Sequence, residues 1–218
     1  MKKEDRRSGK QNGDWEQLEK EAAVICQDFG AFCGYIAQNK VKLAPRTRNI
    51  GKKDCFAINM LLHGREEFEE PVHPQGKYPL IRFFYYVAIK YKILETNGAG
   101  NRLEPGRNYA AFHEVSVWEQ YALFLAVFLF DGTFARQDGS WYADSVTRLW
   151  DLYVDKVMEW AAAGKPWADG EPRRLQEDTG LFGEGLNLLV TYLEELALIR
   201  VCGRSGPEED RWERWWEI

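Results

Sequence analysis

Apolar residues recur with helical spacing through the first part of the chain. Trp15, Leu18, Ala22, Ile25, Phe29, Phe32 and Ile36 follow one another at steps of three and four, the stripe of an amphipathic helix. Asp14 stands ahead of the stripe as a cap, and Gln17 is placed to complete a capping box. The pattern therefore predicts a helix from Asp14 to about Gln38. Gly30 and Gly34 weaken it and point to close approach by another element. Residues 1–13, polar, charged and Gly-containing, are expected to form a disordered tail.

The pattern then changes period. Val41 to Ala44 reads as a short strand, and Lys52 to Leu62 as a second helix closed by His63 and Gly64. The stretch "REEFEEPVHPQGKYP" is loop, punctuated by Pro71, Pro74, Gly76 and Pro79. A third helix is expected from Tyr78 to about Tyr91, followed by strands Leu94–Thr96 and Arg102–Glu104 around "NGAG". Helix, strand, helix, helix, strand, turn, strand is the order of a winged helix-turn-helix. "NYAAFHE" reads as strand-like, with His113 a structural or surface histidine.

The second half repeats this scheme loosely. A buried helix is expected at Val117–Phe130, an amphipathic one around Val146–Trp160, and another around Gly185–Leu196. "LIRVC", "GRSGPEED" and "RWERWWEI" follow as strand, turn and strand. The chain ends inside that last strand, as a piece of a longer protein would. The fold expected is mainly α with short β-hairpins, as two winged-helix-like halves packed together, spanning residues 14–113 and 114–218.

A winged-helix protein ordinarily lays its third helix in the major groove. Here that helix offers Arg82, Lys90 and Lys92, but Leu80, Phe83, Phe84, Val87 and Tyr91 make one side apolar. Ile81, Tyr85, Ala88 and Ile89 make the opposite side apolar too. A helix apolar on both sides is normally sandwiched, and the expected cover is the Tyr121–Phe130 helix. The matching helix of the second half presents Glu184, Asn187, Thr191, Glu194 and Glu195, a surface that repels phosphate.

Charge sharpens the question. The chain carries net charge −5, so no global basic field draws in nucleic acid. Residues 1–100 hold 17 Lys+Arg against 13 Asp+Glu, whereas residues 101–218 hold 12 against 21. Lys40, Lys42, Arg46, Arg48, Lys52 and Lys53 form a cluster with no acidic residue until Asp54. Such a cluster can hold phosphates at the start of the second helix. It can equally be a solvated loop that keeps the protein dissolved.

Other chemistry has weaker support. His63, Glu66, Glu67 and His73 lie close in sequence, but their spacing matches no rigid metal site. Cys26, Cys33, Cys55 and Cys202 form no CxxC pair and read as buried thiols of a cytoplasmic protein. No phosphate-cradling glycine loop, GxSxG or HExxH is present, so no cofactor is called for. The N-terminal "MKKEDRRSGKQNGDW" lacks the apolar core of an export peptide. "YALFLAVFLF" is too short to span a bilayer, so no membrane partner is expected. Aromatics make up 14% of the chain, with nine Trp and twelve Phe, so packing should rest on large rings. Period-two alternation in the final strand sets Trp215 on its solvent side.

Three quoted stretches carry a family resemblance: "KLAPRTRNIGKKDCFAINMLL", "YPLIRFFYYVAI" ahead of "NRLEP", and "SVWEQYALFLAVFLFDGTF". Residues 42–134 resemble the helical N-terminal region of bacterial proteins related to the plasmid-borne ORF-three family, which is associated with mobile elements. The resemblance implies a bacterial helical accessory module and carries over no catalytic residue. Two functions follow as expectations. The preferred one is a non-enzymatic protein-interaction or scaffold module of the bacterial cytoplasm, with Trp215 anchoring an unidentified protein partner. The alternative is a DNA-binding protein, a homodimer doubling its contacts, that clamps duplex backbone through Lys40, Lys42, Arg46, Arg48, Lys52 and Lys53.

Overall fold

The computed structural model describes residues 5–131, Tyr192, Leu196, and residues 200–204 and 214–217. It is mainly helical, with short two-stranded antiparallel sheets. The chain divides into two compact units, Met1–Phe124 and Leu125–Ile218.

Helix α1 (Asp5–Gln38) starts ahead of the expected Asp14, and Gln17 donates to Glu21 at 2.6 Å instead of closing a capping box. Once a helix is nucleated, each added residue gains a backbone bond at little further cost. The apolar stripe does as its spacing demands: Ala22, Ile25, Phe29, Phe32, Cys33 and Ile36 are all buried. After α1, Lys42 bridges Arg102 and Leu43 bridges Ile50 in antiparallel pairing. Helix α2 (Lys52–Asn59) is shorter than expected, and turns carry the chain on to Leu62.

Two buried polar side chains fasten the segment after α2. Asp28 accepts from the backbone N–H of His63 at 2.8 Å and of Gly64 at 3.1 Å. Asn59 both donates to the Glu66 carbonyl at 2.8 Å and accepts from the Glu66 N–H at 2.9 Å. A single 3-10 turn, Gln75–Lys77, precedes α3 (Pro79–Lys90). Its Gln75 amide oxygen takes the Ile50 N–H at 2.7 Å in the interior. Proline opens α3, where its missing N–H costs nothing.

Strands β1 (Leu94–Thr96) and β2 (Leu103–Pro105) form the first hairpin, with Thr96 opposite Leu103 and Glu95 opposite Glu104. The turn from α3 into β1 runs through Lys92, whose φ of 54° lies in the left-handed region. Ile93 N–H then reaches the Ala88 carbonyl at 2.9 Å, closing the helix end. Gly106 packs so tightly on the Lys92 carbonyl that a Cβ there would collide with it.

Helix α4 (Tyr109–Glu114) corrects the strand expected for "NYAAFHE". Phe112 is drawn inward against Phe29, ring centroids 5.0 Å apart, and the two alanines between favour helix. Helix α5 (Val117–Phe130) has the expected limits. In the first unit, α1, α3, α4 and α5 meet through aromatic rings. Phe29 lies 5.3 Å from Phe84 and 5.1 Å from Phe124, and Phe83 lies 6.3 Å from Phe124.

In the second unit, Tyr192 is buried and its ring stands 6.4 Å from that of Phe128. Strands β3 (Arg200–Arg204) and β4 (Arg214–Glu217) pair antiparallel, with Cys202 opposite Trp215 and Val201 opposite Trp216. The helix expected around 146–160, and most of the one around 185–196, lie outside the described residues. Among the described residues, no helix is long and apolar enough to cross a membrane.

Candidate nucleic-acid interface

The third helix is buried over most of its surface, with Tyr86 and Ile89 half-buried. Leu80, Ile81, Phe83, Phe84, Val87 and Ala88 are buried, and Arg82 and Tyr85 are only 4% and 8% exposed. Arg82, expected among the donors of this helix, is therefore interior, while Lys90 at its end stays exposed. Phe124 contributes part of the cover, its ring 6.1 Å from that of Phe84.

Every one of Lys40, Lys42, Arg46, Arg48, Lys52 and Lys53 is exposed. The local folding explains why. Val41 and Leu43 point into the core and alternation turns Lys42 out. The turn 44–49 is pinched by Ala44 N–H to Asn49 O at 2.8 Å and Arg48 N–H to Ala44 O at 2.8 Å, which leaves Arg46 at its tip. Lys52 and Lys53 occupy the first turn of α2. The nearby Asp54 is engaged elsewhere, accepting from the Tyr35 hydroxyl at 3.0 Å. None of the six basic residues makes an ion pair with a described carboxylate.

Arg48 is the most constrained of the set. Its φ of 62° is left-handed, unusual for a residue with a side chain. Its carbonyl accepts the Tyr85 hydroxyl at 2.9 Å, so α3 holds the turn from within. Burial raises the Tyr85 phenol above its ordinary value while the neighbouring Arg48 charge works the other way. Outside, the Arg48 guanidinium lies on the tip of the first hairpin. A Cβ on Gly100, itself at φ +66°, would fall 2.9 Å from Arg48 Nη2. The loop cluster and the hairpin thus share one surface, and Arg102 on the hairpin is the cation that sequence spacing left out. Its signal was tertiary: Arg102 stands opposite Lys42 across the bridge, although sixty residues separate them.

The remaining candidates are dispersed. Asp28 takes the His63 ring Nδ1 at 2.6 Å, whereas His73 stacks on Phe68 with ring centroids 4.0 Å apart. Glu66 is tied through its backbone to Asn59. No group of three His, Cys, Asp or Glu side chains able to hold a metal occurs among the described residues. Cys26, Cys33 and Cys55 are buried free thiols. Burial pushes Cys26 and Cys55 up to about 12 and raises Cys33 as well. His113 is exposed beside Tyr109, its ring 4.6 Å away. Trp215 is placed by the backbone register of β4. Comparison with family models, with curated proteins and with solved structures finds no match to this chain.

Proposed function

We propose that the chain is a non-enzymatic protein-interaction or scaffold module whose first unit is built on a winged-helix-like frame. The observation that carries this reading is the burial of most of α3, Arg82 and Tyr85 included. With Arg82 and Tyr85 interior, the helix has no row of donors to present to base edges. The frame itself is supported by element order: α1, the bridged segment at Lys42 and Leu43, α2, α3, then the β1–β2 hairpin. A second antiparallel hairpin, β3–β4, is in keeping with a tandem arrangement. Thiols held protonated by burial are poor nucleophiles, in keeping with a role other than catalysis. On the resemblance of residues 42–134, the module would serve a protein of a bacterial mobile element, in the cytoplasm.

In this reading Trp215 anchors the partner. Affinity capture from cells with the native chain and with Trp215→Ala, side by side, tests it. A stoichiometric partner lost on substitution is the expected result; equal recovery by both would remove Trp215 from the interface. Enrichment of a defined sequence from a random duplex library would defeat the reading, because a scaffold has no need to read bases.

A second reading has its own observation, the six exposed cations without described carboxylate partners. They would bind the phosphate backbone of duplex DNA without reading sequence. Binding at physiological salt that is lost when Arg46, Arg48, Lys52 and Lys53 become Ala would establish this reading over the first.

A further inference from the structure

The hydrogen bonds around Lys42 and Arg102 set an unusual pairing. Leu43 N–H donates to Asn101 O at 2.9 Å and Leu103 N–H to Val41 O at 3.0 Å. These bonds flank the pair rather than join it, so Lys42 and Arg102 form a non-hydrogen-bonded antiparallel pair. In such pairs facing side chains stand closest. Like charges directly opposite one another destabilise a sheet, and neither residue makes an ion pair with a described carboxylate, although Glu104 shares the face of Arg102 along the strand. Arg48 adds a third cation, its guanidinium on Gly100, two residues from Arg102. The acidic pair of the same hairpin, Glu95 opposite Glu104, lies further from the tip. The Glu95 carboxylate also accepts the Arg107 N–H at 3.1 Å.

The backbone thus places Lys42 opposite Arg102 and sets the Arg48 guanidinium at the same hairpin end. We propose that the hairpin end of this sheet is a phosphate-binding site for duplex nucleic acid, in which Arg102 and Lys42 grip one backbone phosphate with Arg48 beside them. The proposal rests on the second reading above and adds the hairpin to it: the sheet and the pinched turn hold the duplex, and α3 touches nothing. Guanidinium groups suit phosphate geometry. Between Lys40 and Lys53, and between Asn97 and Arg102, the sequence holds no aromatic residue on which a single-stranded base would stack. The larger apolar side chains of those segments, Val41, Leu43 and Ile50, are buried, leaving none to enter a lipid surface.

The test is a salt titration of the full chain against a short random-sequence duplex and the matching single strand, with melting of each variant followed in parallel. Lys42→Ala and Arg102→Ala should each weaken duplex binding, and the two together should make the log-affinity against log-salt slope shallower by about 0.9, their one shared phosphate being no longer neutralised. Arg102→Lys should retain most of the binding, and the single strand should bind more weakly. Lys42→Glu should abolish binding yet raise the melting temperature of the free protein, because it turns a repulsive pair into an attractive one. Arg102→Gln serves where Arg102→Ala disturbs folding. Unchanged affinity and slope when Lys42 and Arg102 are both Ala, with binding still lost on substituting Arg46, Lys52 and Lys53, would overturn the hairpin site and leave the second reading intact. Absence of wild-type binding at low salt would overturn both. Tighter binding to the single strand, or a lowered melting temperature for Lys42→Glu, would count against the site as drawn.

Discussion

Glu66 is half-buried, and desolvation raises its carboxyl above the ordinary value of 4.5. A raised folded-state value means that the native protein disfavours the charged form. That cost is complete above the raised value and disappears as pH falls towards 4.5, where the unfolded chain also takes up its proton. Glu66→Gln should therefore melt higher than the native protein at neutral pH, with the difference closing on acidification; a difference that widens below neutrality would refute it. Phe29, Phe32 and Ile36 were legible because helical spacing alone puts them on one face. Asp28 was not, since its partners His63 and Gly64 lie on a different segment, and a carboxylate on an amphipathic helix reads as solvent-facing. Arg82 escaped for a similar reason: periodicity marks apolar positions and has no means of flagging a buried cation.

Elements were legible where local signals agreed with the tertiary surroundings. Helix α5 was legible as an apolar run, and its start is fixed by "SVWE", whose first and last residues form a reciprocal cap. Ser116 Oγ donates to Glu119 Oε2 at 2.7 Å, and Glu119 N–H donates back to Ser116 Oγ at 3.3 Å. Those bonds hold the Glu119 carboxyl below its usual range. Ser116→Ala should cost about 1 kcal/mol, read as a lowered melting temperature; no change would mean that packing alone fixes the start of α5. By the sign of that shift, the cap's contribution is present above the ordinary carboxylate value and is lost as pH falls through the lowered one. Helix α4 was misread because Tyr and Phe favour strands when nothing else decides. What decided was the pull of Phe112 towards Phe29, together with Gln120 reaching the carbonyls of Phe112 and Val115 from α5. The hairpin was legible from "NGAG", but its third neighbour was not. A bridge between Lys42 and Arg102 spans too much chain for any local pattern to announce it.

Across the whole molecule, charge is divided unevenly along the chain. Residues 1–131 hold 19 Lys+Arg and 17 Asp+Glu, a net +2, whereas residues 132–218 hold 10 and 17, a net −7. The first compact unit ends at Phe124, in the middle of α5, so a fragment that keeps α5 must run to Asp131. On the backbone-binding reading, fragment 1–131 should bind random duplex more tightly than the full chain at low salt, with the two converging as salt screens the difference. Equal affinities at low salt would show that the acidic half exerts no field at the site. One hydrogen bond ties inside to outside: the hydroxyl of Tyr85 on the Arg48 carbonyl. A buried side chain there sets the posture of a surface cation, so removing a single oxygen atom from the interior would let the pinched turn relax and swing its charge away from the hairpin. Evolution could thus retune the outer face of this protein without altering any residue that a ligand would ever touch.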